Sequence, residues 1–163
     1  MNRIILIGNG FDLAHGLPTS YSDFIKFYWY SWADFQMENE VPPEYSDGLV
    51  SIKRGSKGLC NSLRKPRIDT LDDFVHLLKK DPESNLSFTC ALFQMINKLH
   101  EESGWVDIEN EYYSVLKTTL PFWEGPDKPY SNPGDLNTDL NRIKENLVAF
   151  LQGVHDKLIR NEI

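Results

Sequence analysis

The chain has 163 residues, of which 40% are hydrophobic and 25% charged, and its formal net charge is −7. That length and balance suit one globular domain with a sizeable core. They exclude a membrane span, because no apolar run nears the roughly 20 residues a bilayer requires, and the net acidity argues against a dedicated nucleic-acid coat.

The N-terminus lacks a signal-peptide layout: the apolar run Ile4 to Ile7 is too short, and no small-residue cleavage site follows. A cytosolic protein is expected. Cys60 and Cys90 lie far apart with no CxxC spacing, so they read as two ordinary thiols and not as a disulfide or zinc framework.

In chain order, residues 3–7 (RIILI) read as a short strand whose continuous apolar character implies burial on both faces. Gly8-Asn9-Gly10 breaks it. A helix is expected from Ser20 or Ser22 to about Met37, with Ser20 and Asp23 in a capping-box arrangement. Phe24, Phe27, Tyr28 and Trp32 would share one face, which reads as core packing in preference to a base-stacking platform. Residues 38–56, with Pro42-Pro43 and Asp47-Gly48, read as a loop, and LVSIK (49–53) is a weak strand candidate.

Lys53, Arg54, Lys57, Arg64, Lys65 and Arg67 form a window without an acid, interrupted by Gly55 and Gly58. A solvated loop is the favoured reading over a contact with a phosphate backbone or a partner. Asp69 or Thr70 caps a helix LDDFVHLLKK that ends near Asp81-Pro82. Further helices are expected over 87–102 and 105–120, followed by a Pro/Gly loop over 121–133. A last helix carries Leu140, Ile143, Leu147, Phe150 or Leu151, Val154 and Leu158 on one stripe. There is no internal repeat. One fully buried strand needs neighbours, and the last helix reaches Ile163 without a stop signal, so the chain is expected to be the front part of a longer protein.

The chemistry concentrates in the opening. A strand that ends in glycines and leads into a helix is a common phosphate cradle: glycine permits close backbone approach, and free N–H groups meet the anion. Gly8-x-Gly10 with Gly16 after five intervening residues is neither GxGxxG nor a P-loop, and alone it favours a tight turn. Asp12 suits a ribose hydroxyl, a metal or a helix cap better than a diphosphate, which it would repel. His15 is either a general acid–base or polar surface. Thr19 adds a hydroxyl to the same loop. Asp107 and Glu109 open a helix, where the macrodipole favours acids without any function. His76, His100 and His155 read as surface or satisfied core residues, and no pair has metal-ligand spacing.

Read as G-N-G-F-D-L-A-H-G-L-P, residues 8–18 resemble the nucleotide-binding opening of the sirtuin superfamily, with Gly8, Gly10, Gly16 and Pro18 at that family's spacing. The tripeptide after the proline departs from it, Thr19-Ser20-Tyr21 replacing D-F-R, and no sirtuin-type N-[IV]-D or catalytic histidine motif follows. A closer resemblance is to the AbiH family of bacteriophage abortive infection proteins. It is carried by LIGNGFDLAHGLPTSYSDF and by Trp105-Val106-Asp107-Ile108-Glu109 as the family's W-x-[DN]-[FIL]-E landmark.

These resemblances imply an α/β fold: a Rossmann-like, sirtuin-like parallel core seeded by residues 3–7, with residues 1–24 as a strand-loop-helix and 25–163 as a large, mainly helical region. They imply a role in phage defence and a nucleotide ligand, NAD or a relative, held by Gly8, Asn9, Gly10, Phe11, Asp12, Gly16, Pro18 and Thr19. Hydrolysis of NAD at the glycosidic bond would use His15 and Glu109. The alternative is a non-catalytic module that senses a nucleotide or engages a phage or host protein. No metal and no membrane partner are expected, and nucleic acid is disfavoured.

Overall fold

The computed structural model describes residues 12, 14–36, 42–55, 68–81, 83–103, 107–121, 125 and 128–160. Their elements, in chain order, are α1 (Tyr21–Gln36), β1 (Glu44–Ser46), β2 (Val50–Lys53), α2 (Leu71–Leu78), β3 (Asn85–Phe88), α3 (Ala91–Ser103), α4 (Ile108–Thr118) and α5 (Pro133–Ile159). The strand expected over residues 3–7 lies outside the described residues.

The expected Rossmann-like parallel core is corrected by this structure. Among the described residues the protein is helix-rich, and its sheet is small, antiparallel and ordered β1-β2-β3. β2 falls on the weak strand candidate LVSIK, whereas β1 comes from the expected loop and β3 overlaps the start of an expected helix. For β1 and β2 the physical reason is locality. Antiparallel neighbours need only a tight turn, whereas a parallel pair needs a crossover of a dozen or more residues. Asp47-Gly48 supplies that turn between β1 and β2, with Gly48 at φ +88°, a left-handed conformation that favours glycine. The register pairs Tyr45 with Ile52 on one side of β2 and Leu86 with Ile52 on the other. β2 is therefore the central strand, and it alternates: Val50 and Ile52 are buried, and Lys53 is exposed.

α1 lies at the centre of the core. Its capping box forms as the sequence predicts: Ser20 Oγ accepts from the Asp23 N–H at 3.1 Å, and Asp23 Oδ2 accepts from the Ser20 N–H at 3.1 Å. Its buried face runs through Phe24, Ile25, Tyr28, Trp29, Trp32, Ala33 and Gln36. Trp29 is wholly buried and stacks on Phe74 of α2, with ring centroids 5.2 Å apart. Its indole N–H donates to Asn97 Oδ1 of α3 at 2.7 Å, so the polar atom of this large ring is satisfied inside the core. The core-packing reading of the aromatic run holds for Phe24, Tyr28 and Trp32. Phe27, placed on the same face, is 41% exposed and packs its ring at a tilt on Phe150 of α5.

The other helix boundaries follow their caps. α2 has the capping box at Thr70, with Asp73 as its N3 acid. α3 starts later than the expected residue 87, because 85–88 pair with β2. Cys90 opens it, its thiol accepting the Phe93 N–H at 3.3 Å. α5 begins earlier than its apolar stripe implied: Asn132 caps it and Pro133 takes the first helical position, where the missing N–H costs nothing. At 27 residues it spans about 40 Å. It buries Leu136, Ile143, Phe150 and Val154, while Leu151 and Leu158 stay largely exposed.

Candidate functional site

The loop that precedes α1 is partly described. Gly8, Asn9, Gly10 and Phe11 lie outside the described residues. Asp12 and Ala14 are helical. The Asp12 carbonyl accepts the N–H groups of His15 and Leu17, both at 3.0 Å, and Gly16 between them has φ +74°. A bond from the fifth residue on, with a left-handed glycine just before it, is the Schellman way of ending a helical turn. A Cβ on Gly16 would meet nothing within 4 Å, so this glycine is required for its dihedral angle and not for a close approach. The Thr19 N–H then turns back onto the Leu17 carbonyl at 2.9 Å, and Pro18 and Thr19 are half-buried.

The start of α1 offers an anion neither its Ser20 nor its Asp23 amide. The N-terminus of α1 is occupied by its own Ser20–Asp23 box, and the Asp23 carboxylate there repels a phosphate. Asp12 joins the turn through its backbone, and its half-buried side chain takes no part in those two bonds.

The expected catalytic pair sits on separate elements. His15 is exposed in the turn before α1. Glu109 is exposed in the first turn of α4, whose cap is Asp107, accepting the Asn110 N–H at 3.0 Å. His76 and His155 are exposed. His100 is buried, with its Nε2 3.2 Å from Ser22 Oγ, and burial followed by nearby Lys26 holds its imidazole below the ordinary range. Among the described residues no three His, Cys, Asp or Glu side chains gather in a metal-binding group. In the basic window only the exposed Lys53 and half-buried Arg54 and Gly55 are described.

Two side-chain constellations went unseen in the sequence. The first is buried. Asp139 on α5 is 6% exposed and accepts from Tyr130 Oη at 2.6 Å and from Arg142 at 2.9 Å. Tyr130 Oη in turn accepts the buried Leu92 N–H at 2.6 Å. Cys90 belongs to this cluster. Burial is the main cause that pushes its thiol up to about 12, where it is inert as a nucleophile near neutral pH. The group ties α3 to α5 and is structural.

The second lies at the surface end of α1. Asp47 Oδ1 accepts the N–H groups of Leu49 and Val50 at 2.8 and 3.0 Å. Its Oδ2 accepts from Tyr28 Oη at 2.9 Å and Trp32 Nε1 at 3.2 Å. Burial, then the Asp47 charge, pushes the Tyr28 hydroxyl far above its ordinary range, so it remains a donor. Asp47, Trp32, Phe35 and Tyr45 line an open cleft of about 180 Å³. Sequence had marked Asp47 only as a turn residue, and no sequence signal connects it to helical residues nineteen and fifteen positions earlier.

Among the described residues, no helix is long and apolar enough to cross a membrane. No curated protein matches the chain, and no solved structure does either. The family model for bacteriophage abortive infection AbiH matches residues 4–159, nearly the whole chain, and so spans both the glycine loop and every element described above. The chain belongs to the AbiH family of bacteriophage abortive infection proteins.

Proposed function

We propose that this chain serves abortive infection by binding a nucleotide, NAD or a close relative, through residues 8–19, and that it acts as a sensor. The observation that carries the reading is Gly16. It takes the left-handed conformation that closes the turn at the position the glycine and proline spacing marks out. The turn directs the chain from the glycine segment into α1, and the self-capped start of α1 leaves residues 8–11 as the phosphate contact. A sensor fits better than a hydrolase because His15 and Glu109 are both exposed to solvent, not held in a dry pocket. A phage or host protein supplies the trigger.

The test titrates NAD into the protein and its Gly10→Val, Asp12→Ala and Glu109→Gln variants. Calorimetry reads binding, and chromatography reads nicotinamide release. Saturable binding without nicotinamide, lost in Gly10→Val, is the expected result. No binding at millimolar NAD overturns the proposal. Nicotinamide release that depends on Glu109 replaces the sensor with a glycohydrolase.

A further inference from the structure

We propose that the cleft beside Asp47 binds a small alkylated ammonium ion, a cation that carries no N–H donors at its charged centre. The site is separate from the glycine loop and does not rest on the nucleotide reading. Its volume of about 180 Å³ is too small for a dinucleotide, since even drug-sized ligands occupy about 300 Å³ or more.

The argument starts from the carboxylate. All four contacts to Asp47 use it as an acceptor, so it is an anion. A carboxylate has about four lone-pair directions, and here Leu49, Val50, Tyr28 and Trp32 fill them. Among the described residues, no lysine or arginine pairs with it. The charge is therefore present in the cleft without free acceptor capacity. An ammonium with N–H groups would have to surrender hydration and find no lone pair waiting on Asp47. A fully alkylated ammonium loses little hydration and needs only the field.

The walls supply the rest. Trp32, Phe35 and Tyr45 pack on one another with centroids 4.8 to 5.9 Å apart, forming an aromatic side to the cleft. Aromatic faces attract such cations through their quadrupoles. Tyr45 is 40% exposed although it is a large ring, which places it at the mouth. Asn146 of α5 completes the lining. Its amide N–H donates to the Arg142 carbonyl, which turns its oxygen to acceptor duty for a hydroxyl on the ligand. Among the described residues, no cationic side chain lines the cleft.

The experiment titrates choline into the isotope-labelled protein and follows the Trp32 indole N–H, which reports directly on the Asp47 contact. Two controls run in parallel: ethanolamine, which keeps N–H donors, and 3,3-dimethylbutan-1-ol, the neutral isostere. A trimethyllysine peptide is a fourth arm, and tighter binding than choline's assigns the site to a modified side chain and not to a free ion. Choline is expected to shift the Trp32 signal saturably at about millimolar concentration, and each control at least about five-fold more weakly. Tyr45→Leu is expected to weaken choline by a similar factor while leaving the fold intact, since the ring is exposed on an edge strand. Asp47→Asn is expected to abolish the preference for choline over its neutral isostere. Equal binding of choline and the isostere, or no shift at about 10 mM choline, overturns the proposal. If Asp47→Asn fails to fold, Tyr45→Leu and the isostere comparison decide the matter alone.

Discussion

Asp47 joins three parts of the protein, and replacing it separates their contributions. Asp47→Ala removes four accepted hydrogen bonds at once, from Leu49, Val50, Tyr28 and Trp32. Leu49 and Val50 are wholly buried, and Tyr28 and Trp32 are 4% and 5% exposed, so their donors are not easily rehydrated in place. A lost hydrogen bond of this kind costs about 1 kcal/mol net, and more where the donor stays dry. Water entering through the cleft recovers part of this, because Asp47 itself is only half-buried. The expected cost is about 3–4 kcal/mol. For a domain of this size that lowers Tm by roughly 6–16 °C.

Asp47→Asn dissects the sum. The amide oxygen keeps the two backbone donors, while its NH₂ faces the Tyr28 and Trp32 donors and can accept from neither. The expected cost is about half as large, roughly 2 kcal/mol. Urea unfolding followed by tryptophan fluorescence measures both, and hydrogen exchange at the Leu49 and Val50 amides reports the turn separately. A cost under about 1 kcal/mol for Asp47→Ala would refute the reasoning. So would equal costs for the two variants, since the backbone half of the network would then contribute nothing.

Three further outcomes are expected. Gly16→Ala should cost about 1 kcal/mol, a purely conformational penalty because the new Cβ meets open space; Gly48→Ala should cost about the same, since its Cβ would reach the Arg142 side chain only at an ordinary contact distance of 3.4 Å, and denaturant midpoints compare the two. Tyr130→Phe should cost about 2–4 kcal/mol, because it leaves the buried Leu92 N–H and the buried Asp139 carboxylate each short of a partner; calorimetry reads it, and a change below 1 kcal/mol, about a five-fold effect, would mean water replaces the hydroxyl. His100 is held neutral in the folded state below its ordinary value of 6.5, so the unfolded chain takes up a proton that the folded one refuses. Stability should be full above that value and fall as pH drops through the folded one. His100→Gln should flatten this slope in Tm measured against pH.

The sequence is legible where a signal is local. Ser20 with Asp23, and Thr70 with Asp73, place two helix starts to within a residue because a capping box is complete in four positions. The stripe from Leu140 onwards finds α5, yet its first two turns escape, since Asn132-Pro133 mark a helix start only to a reader who takes the proline as an opening and not as a break. The sheet was nearly invisible for a different reason. β1 and β3 are edge strands of three and four residues whose side chains are mostly polar or exposed, and only the central β2 carries an inward-facing alternation. The same holds for the sites. Gly16 could be read from spacing, because its turn is closed within six residues. The Asp47 network joins residues 28, 32 and 47–50 across a strand and a helix, and the Asp139 network joins 90–92, 130 and 139–142. Neither leaves a pattern along the chain.

Asp12 shows how a backbone contact changes the meaning of a side chain. The acid was the awkward member of the glycine loop, because it should repel the phosphate its neighbours would hold. Its role in the turn is carried entirely by its carbonyl, which bonds to His15 and Leu17. Any residue supplies a carbonyl. The turn therefore gives no reason for an aspartate at position 12, whereas it gives a full reason for the glycine at 16, where the dihedral angle selects the residue. The two positions then separate fold from function. A substitution at Gly16 acts on stability first and on any ligand second. A substitution at Asp12 should leave stability within about 0.5 kcal/mol, as for a surface position away from special features. If Asp12→Ala alone removes nucleotide binding in the titration above, the carboxylate faces the ribose and not its own backbone, and the repulsion from the phosphates serves to set which end of the nucleotide enters first.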